Sequence, residues 1–287
     1  MKFITYKIKD EEKQLGIVID EQVYSVNEIS GGKLPDSMRS FVDNTENNMK
    51  LLDELLQQAN LNKMNHIPFS DVKLCAPLQN PNSIRDFMAF EDHIVNASKT
   101  SGIQVHPNWY EIPAFYFTNH TAIHGPNEEI ERPPGCKKLD YELEIAIVIG
   151  KEGRNISVDE AEEYIFGYTI FNDWSARDLQ LKEMPIGLGP AKGKDFATSI
   201  GPSIVTTKEL EPFRKNKGFD LEMTASVNGE IISKGNFKNI YYSFNEMIAH
   251  ASKGVTLYPG DIIGSGTVGT GCLLEFGEGV HSWLQDG

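Results

Sequence analysis

Two glutamates one residue apart, Glu142 and Glu144 in LDYELEIAIVIG (139–150), are the first residues whose spacing could do chemistry. Alternation puts Tyr141, Leu143, Ile145 and Ile147 on one face of a strand and Asp140, Glu142, Glu144, Ala146 and Val148 on the other. Same-face neighbours lie about 6–7 Å apart, so adjacent carboxylates there repel one another and lose hydration. A solvated face would tolerate this, and for a lone E-x-E that is the commoner situation. Here Ala146 and Val148 continue the face as apolar residues, so it reads as partly buried. The next predicted strand, YIFGYTIFND, delivers Asp173 at its end, and SIRDFMAFEDHI supplies Asp86 just before a helix. Four acidic donors from three segments are what a hard divalent cation takes: Mg²⁺ in octahedral geometry, Ca²⁺ in a looser shell, or Mn²⁺. Such a cation converts the mutual repulsion into attraction.

Two further groups could act beside it. His93 follows Asp86 by seven residues, two turns if helical, and an imidazole there could remove a proton from water. A surface histidine on a polar helix is the alternative. Lys194, in the glycine-rich GPAKGKDFATSIGP, could place an ammonium beside a developing oxyanion, with Lys192 as its competitor. GSGTVG (264–269) matches the dinucleotide fingerprint only formally, because TGCLLEFG after it reads as extended rather than helical. His120 and His124 sit four apart among Pro113, Gly125 and Pro126 and read as structural. No G-x-S-x-G elbow is present, which argues against a serine hydrolase.

The elements that must position these groups are mostly strands. KFITYKI and LGIVIDEQVYSV open the chain as a hairpin or small meander, and residues 37–60 support a helix with Leu51, Leu52, Leu55 and Leu56 at helical spacing. Turn formers and prolines follow, placing a boundary near residue 73: a small N-terminal domain (1–73), packing or lid-supporting, and a catalytic domain (74–287). The second part holds AFYFTN, LEIAIVIG, YIFGYTIFND, IGPSIVTT, FDLEMTASVNGEIIS and DIIGSG as strands, with an Asn-Gly hairpin in VNGEI. Helices are expected over 89–102, 157–164 (Ser157 as N-cap, Glu160 three residues on) and 243–254. The fold class is mostly β (α+β).

Composition narrows the partners. The 287 residues carry 27 Lys and Arg against 41 Asp and Glu, a formal charge of −14, which argues against nucleic acid or an anionic membrane surface. Three well-separated cysteines, Cys75, Cys136 and Cys272, form neither a disulfide framework nor a zinc motif. With no apolar leader or span, the expected location is the cytoplasm.

The stretch DYELEIAIVIGKEGRNISVDEAEEYIFGYTIFNDWSARDLQ strongly resembles the metal-binding core of the fumarylacetoacetate hydrolase family. The likeness extends through GKDFATSIGP and GSGTVGTGCLLEFG, over roughly residues 80–280. E-L-E followed about thirty residues later by N-D-x-S-A-R-D-x-Q carries most of it. The resemblance implies that Asp86, Glu142, Glu144 and Asp173 are metal ligands, His93 the catalytic histidine and Glu275 its carboxylate partner. It implies that Gln180, Lys194 and Thr267 hold a substrate's dicarbonyl oxygens. It also implies a mixed β-sandwich roll behind a small N-terminal β domain, and a homodimer. Some positions depart from the pattern: Asn96 stands where short acylpyruvase-like members carry a glutamate. Met88 replaces a substrate-binding tyrosine, Gly102 falls near a substrate-binding arginine, and Thr118 replaces a common lysine. The implied activity is metal-dependent hydrolysis of a C–C bond in an acylpyruvate-like or fumarylacetoacetate-like diketo acid. Decarboxylation, hydration or isomerisation of a 2-oxo acid, which also pass through an enolate, is the alternative, and a catalytically silent metal-binding module is a third.

Overall fold

A computed structural model describes every residue except Asp10, Ile103 and Glu278, and the side chains of Asn62 and Ser101. Thirteen strands form one mixed sheet. In chain order they are β1 (Lys2–Lys7), β2 (Gln14–Ile19), β3 (Gln22–Ser25), β4 (Ile67–Pro68), β5 (Lys73–Cys75), β6 (Ile84–Phe87), β7 (Phe115–Thr118), β8 (Ile123–His124), β9 (Leu143–Ile149), β10 (Ile165–Asp173), β11 (Thr198–Ile200), β12 (Ile204–Val205) and β13 (Ile262–Gly264). Their order across the sheet is β4-β3-β2-β1-β12-β10-β9-β13-β6-β7, with β5 on β1, and β11 joining β10 to β8. The β6–β13 and β8–β11 pairs are parallel, and all other pairs in the sheet are antiparallel. A separate hairpin, Glu222–Val227 with Glu230–Asn236, turns at Asn228–Gly229, both in the left-handed conformation that the Asn-Gly signal predicts.

The two faces of β9 are buried against different partners. Leu143, Ile147 and Ile149 join Tyr168, Phe219, Phe237, Phe244, Met247 and Ile248 on one side. Ala146 and Val148 join Phe171, Ile200 and Ile262 on the other, together with Phe3, Leu15, Phe41 and Leu52 from the first sixty residues. That second face is the one that bears the glutamates, so the apolar continuation read from the sequence is a buried floor. The first strands therefore belong to the same sheet and core as the later ones: Phe3 pairs with Ile204, and the Met1 ammonium donates to Thr206 Oγ1 at 2.7 Å.

Helices are short. The span 37–60 breaks into α1 (Met38–Val42) and α2 (Thr45–Gln58), separated at Asp43 and Asn44. Glu91–Ser101 forms α3, Arg177–Glu183 forms α4 and Phe244–Ala251 forms α5, whose Ser243 and Glu246 make a reciprocal capping box. The expected helix over 157–164 is corrected to turns and a 3₁₀ segment, Ala161–Tyr164. Ser157 Oγ donates to the Glu160 carboxylate at 2.6 Å instead of accepting a backbone N–H, and β10 begins directly at Ile165.

The Phe41 ring packs 5.3 Å from Phe3 and 6.2 Å from Phe166, joining the two halves of the second core. Phe41→Ala is expected to cost about 3–5 kcal/mol. Urea unfolding should show a lower midpoint with an unchanged slope, as a single cooperative transition.

Candidate active site

Strand ends bring the four carboxylates together. Leu143 pairs with Asn172, so Glu142 and Asp173 face each other one step beyond, while Glu144 lies two residues along the same face. Asp86 arrives on β6 opposite Gly264 of β13, with which β9 pairs in turn. A Cβ at Gly264 would stand 2.4 Å from Asp86 Oδ1, so that glycine makes the room the carboxylate occupies. The amide of Gly266 donates to the same oxygen at 3.2 Å. One oxygen from each of Asp86, Glu142, Glu144 and Asp173 lies within 4.8 Å of all the others, and all four residues are buried.

The local electrostatics are unbalanced without a cation. Lys194 Nζ donates to Glu142 Oε2 (2.5 Å), Asp173 Oδ2 (2.7 Å) and Ser175 Oγ (2.7 Å). Arg177 spans Asp140 and Glu142, each at 2.8 Å. Burial by itself would raise the Glu142 carboxyl, but Lys194 and then Arg177 outweigh it and hold the group below the ordinary carboxylate range. Burial pushes Asp86 and Glu144 well above that range, and their carboxylate neighbours add to it. Asp173 is raised less decisively, because Lys194 opposes its burial. Both oxygens of Glu144, and Oδ1 of Asp173, are buried with no hydrogen-bond partner. Carboxyl oxygens buried without donors are costly to ionise, and an all-oxygen donor set fits a hard divalent cation that would make up that cost. The residues present therefore fit the metal that the sequence suggests.

His93 reaches this region from α3, whose first turn follows directly after β6 and residues 88–90. Asp86 is on a strand, so the expected two-turn helical spacing is corrected: a strand-to-helix turn relates the two residues. The Nδ1 of His93 lies 2.8 Å from Glu275 Oε1. His93 is also close enough to Glu142 for its charged form to lower that carboxyl. Glu275 sits on the 3₁₀ turn Leu273–Phe276, with Cys272 Sγ 3.7 Å from Oε1. Burial pushes that thiol well up, so it stays protonated. Gln180 is half-buried on α4 and accepts from Arg177 Nη1 at 3.0 Å; Thr267 is buried next to Gly266.

Four neighbours have roles here that the sequence reading did not assign. Tyr116, opposite Asp86 on β7, donates its hydroxyl to Asp173 Oδ2. Burial and then the Asp173 charge hold that phenol well above its ordinary range. Asp140 turns from the cluster to Arg177 and to the Leu273 and Leu274 amides, so it braces a cation and the Glu275 segment. Ser175, which accepts from Lys194, and Asn96, which donates to Glu275 Oε2 at 3.1 Å, complete the set; the arginine inside S-A-R-D is a hint to Asp140, since a buried guanidinium needs acids around it.

A profile of the fumarylacetoacetate (FAA) hydrolase C-terminal family matches residues 82–287, a span that contains all four carboxylates, His93 and Glu275. The chain belongs to that family. It is 30% identical over 281 residues to a fumarylacetoacetase of Oryza sativa subsp. japonica, over 77% of this chain and 65% of that one. The chain thus spans slightly less than two thirds of this relative's length. It is 37% identical over 201 residues to the oxaloacetate tautomerase of Bacillus subtilis, over 69% of this chain and 62% of that one. The solved maleylpyruvate hydrolase of Sphingobium sp. SYK-6, in complex with manganese(II) ion and pyruvate, shares the fold. It has a TM-score of 0.70 at 24% identity, over 95% of this chain and 90% of that one. Members of the family thus include both hydrolases and a tautomerase. Among the described residues no helix is long and apolar enough to cross a membrane.

Gly264→Ala should push the Asp86 carboxylate aside and weaken Mn²⁺ binding about ten- to a hundredfold, measured by calorimetric titration. A second expectation concerns pH. Burial raises Asp86 and Glu144, so the metal-free protein should lose stability as pH rises above the ordinary carboxylate range. A bound cation would compete with protons for these oxygens. The rise in Tm on adding Mg²⁺ or Mn²⁺ should be larger near pH ~8 than near pH ~5.5.

Proposed function

We propose that the chain is a divalent-metal-dependent hydrolase that cleaves a C–C bond in an acylpyruvate-like or fumarylacetoacetate-like 1,3-diketo acid. The observation that carries this reading is the His93–Glu275 pair at 2.8 Å beside the four-carboxylate cluster. A base oriented by a carboxylate is needed where a water must be activated. A divalent cation held by Asp86, Glu142, Glu144 and Asp173 would supply the positive charge that polarises a chelated keto oxygen. Mg²⁺ suits the donor set, and the manganese in the structural relative supports Mn²⁺ as well.

The chain's own groups do the rest. His93, with Nδ1–H donated to Glu275, keeps the Nε2 lone pair free to take a proton from water. The hydroxide so formed adds to the distal carbonyl. The bond between that carbon and the central methylene then breaks, giving a carboxylic acid and the enolate of a 2-oxo acid. A proton returned to the methylene carbon completes the keto product, so one water is consumed and no oxidant is needed. Lys194, with all three donors directed at Glu142, Asp173 and Ser175, offsets the negative charge that accumulates at this end of the site. Gln180 and Thr267 are assigned to the substrate's oxygens.

A second reading, keto–enol isomerisation of a 2-oxo acid, is favoured by the identity to the tautomerase. Product analysis separates the two. With Mg²⁺ and a panel of diketo acids, the hydrolase reading requires two acid products in equal amounts as the enol absorbance falls. Loss of the enol without cleavage supports isomerisation. His93→Ala and Glu275→Gln should each lower kcat about a hundredfold or more, and undiminished cleavage in either would remove the proposed base.

A further inference from the structure

A short link joins the carboxylates to His93. Asp86 lies on β6, His93 in the first turn of α3, and residues 88–90 run between them. Phe90 stands at the N-cap position of α3 and makes no side-chain cap bond, so the link rather than a cap sets where the helix starts. Each backbone polar group of Met88 and Ala89 is taken by another segment. The Met88 amide donates to the Ala114 carbonyl at 3.1 Å, and the Ala89 carbonyl accepts from the Tyr241 amide at 2.8 Å. The peptide unit between Met88 and Ala89 is gripped at both ends. Its N–H donates to the Ser265 carbonyl at 2.9 Å, and the Ser265 amide donates at 2.9 Å to Ile145, the neighbour of Glu144. Its C=O accepts from the indole Nε1 of Trp109 at 2.9 Å. Among these partners Trp109 alone uses a side chain. The link also lies flat against the segment after β13: a Cβ at Gly266 would stand 2.2 Å from the Phe87 carbonyl oxygen and 2.8 Å from Met88 Cα.

Trp109 is itself firmly held. It is buried on the 3₁₀ turn Pro107–Tyr110, and its carbonyl accepts from the Tyr242 hydroxyl at 2.7 Å. Its ring packs 4.9 Å from Tyr241 and 5.6 Å from Tyr242. We propose that Trp109 is a positioning residue that, through the Met88 carbonyl, fixes the offset between the cation site and His93; this rests on the reading of His93 as the base. A peptide unit is planar, so holding both its N–H and its C=O fixes its rotation. Here the N–H is referred to the ligand-bearing β9 through Ser265, and the C=O to the aromatic cluster through Trp109. Without the indole N–H the unit can turn about the line through its two flanking Cα atoms. The start of α3 then moves relative to Asp86, which stays where β6 and Gly264 place it. A base displaced by a fraction of an ångström loses rate steeply, since about 1 Å can cost about a hundredfold.

The test uses the full chain with Trp109→Phe, which keeps an aromatic ring and removes the donor. Co²⁺ in place of Mg²⁺ displaces the NMR signals of nearby histidine rings by an amount set by their distance and direction from the ion, and His93→Ala identifies the His93 signal. At one fixed pH, the difference in His93 shift between Co²⁺-loaded and Mg²⁺-loaded protein should change in Trp109→Phe. Co²⁺ affinity should stay within about twofold, because no ligand strand is altered. With Mg²⁺, kcat should fall about tenfold and KM should stay within about twofold. A merely structural role would lower the Tm and leave the paramagnetic shift and kcat of the folded variant at wild-type values. An unchanged shift, or a changed shift with wild-type kcat, overturns the proposal. If Trp109→Phe fails to fold, Tyr242→Phe decides: it removes the hydroxyl that holds the Trp109 carbonyl, and an unmoved His93 shift there overturns the proposal as well. Undiminished turnover in His93→Ala would instead remove the base assignment, whereas the paramagnetic shift reports on Trp109 whichever reaction the site performs.

Discussion

Four carboxylates buried within one small space are the constraint on which this structure depends. In water their repulsion would be screened, but here it acts across a medium that strengthens every charge. Lys194 and Arg177 relieve Glu142 and part of Asp173, while Asp86 and Glu144 are left to protons or to a cation. The site is thus built to be incomplete by itself. Its ammonium and guanidinium partner one side of the carboxylate set, and its unpartnered oxygens define the place that a divalent ion would fill.

The rest of the fold can be understood as the support this arrangement requires. A strand end is a good place to deliver a carboxylate, because the backbone is already hydrogen-bonded and the side chain projects at a fixed angle. β6, β9 and β10 each contribute in this way, and the same strands continue into apolar residues over a common floor. The first sixty residues supply the underside of that floor. They contain no member of the cluster, yet Phe3, Phe41 and Leu52 fill the space beneath Ala146 and Val148. A rigid floor matters because carboxylate oxygens must be held to a few tenths of an ångström against their own repulsion.

Much of this was legible from residue order alone. Alternation placed Glu142, Glu144, Ala146 and Val148 on one face, and the polar residue closing an apolar run placed Asp173 at a strand end. Those inferences work because the two-residue period of a strand is local. Asp140 shares that period and still parts company with the glutamates, because Arg177, 37 positions on, takes its carboxylate. The contacts of Tyr116 and Asn96 are hidden for the same reason: each reaches one residue distant in sequence, Asp173 and Glu275 respectively, although Asn96 stands out as a departure from the family pattern. The segment 157–164 has a helix-start pattern, but eight residues leading straight into a strand leave no room for a helix to propagate.

The place of β13 has a consequence for how the protein is made. Among the described residues only that strand joins β9 to β6, so Asp86 is not fixed beside Glu142 and Glu144 until residues 262–264 have been inserted between them. Glu275 comes later still. A chain emerging from the ribosome therefore carries all four acids well before it can assemble them, and the early-made strands must wait, unpaired along one edge, for a segment more than a hundred residues downstream. Closure of this edge, and with it of the carboxylate cluster, consequently depends on a segment made late in biosynthesis.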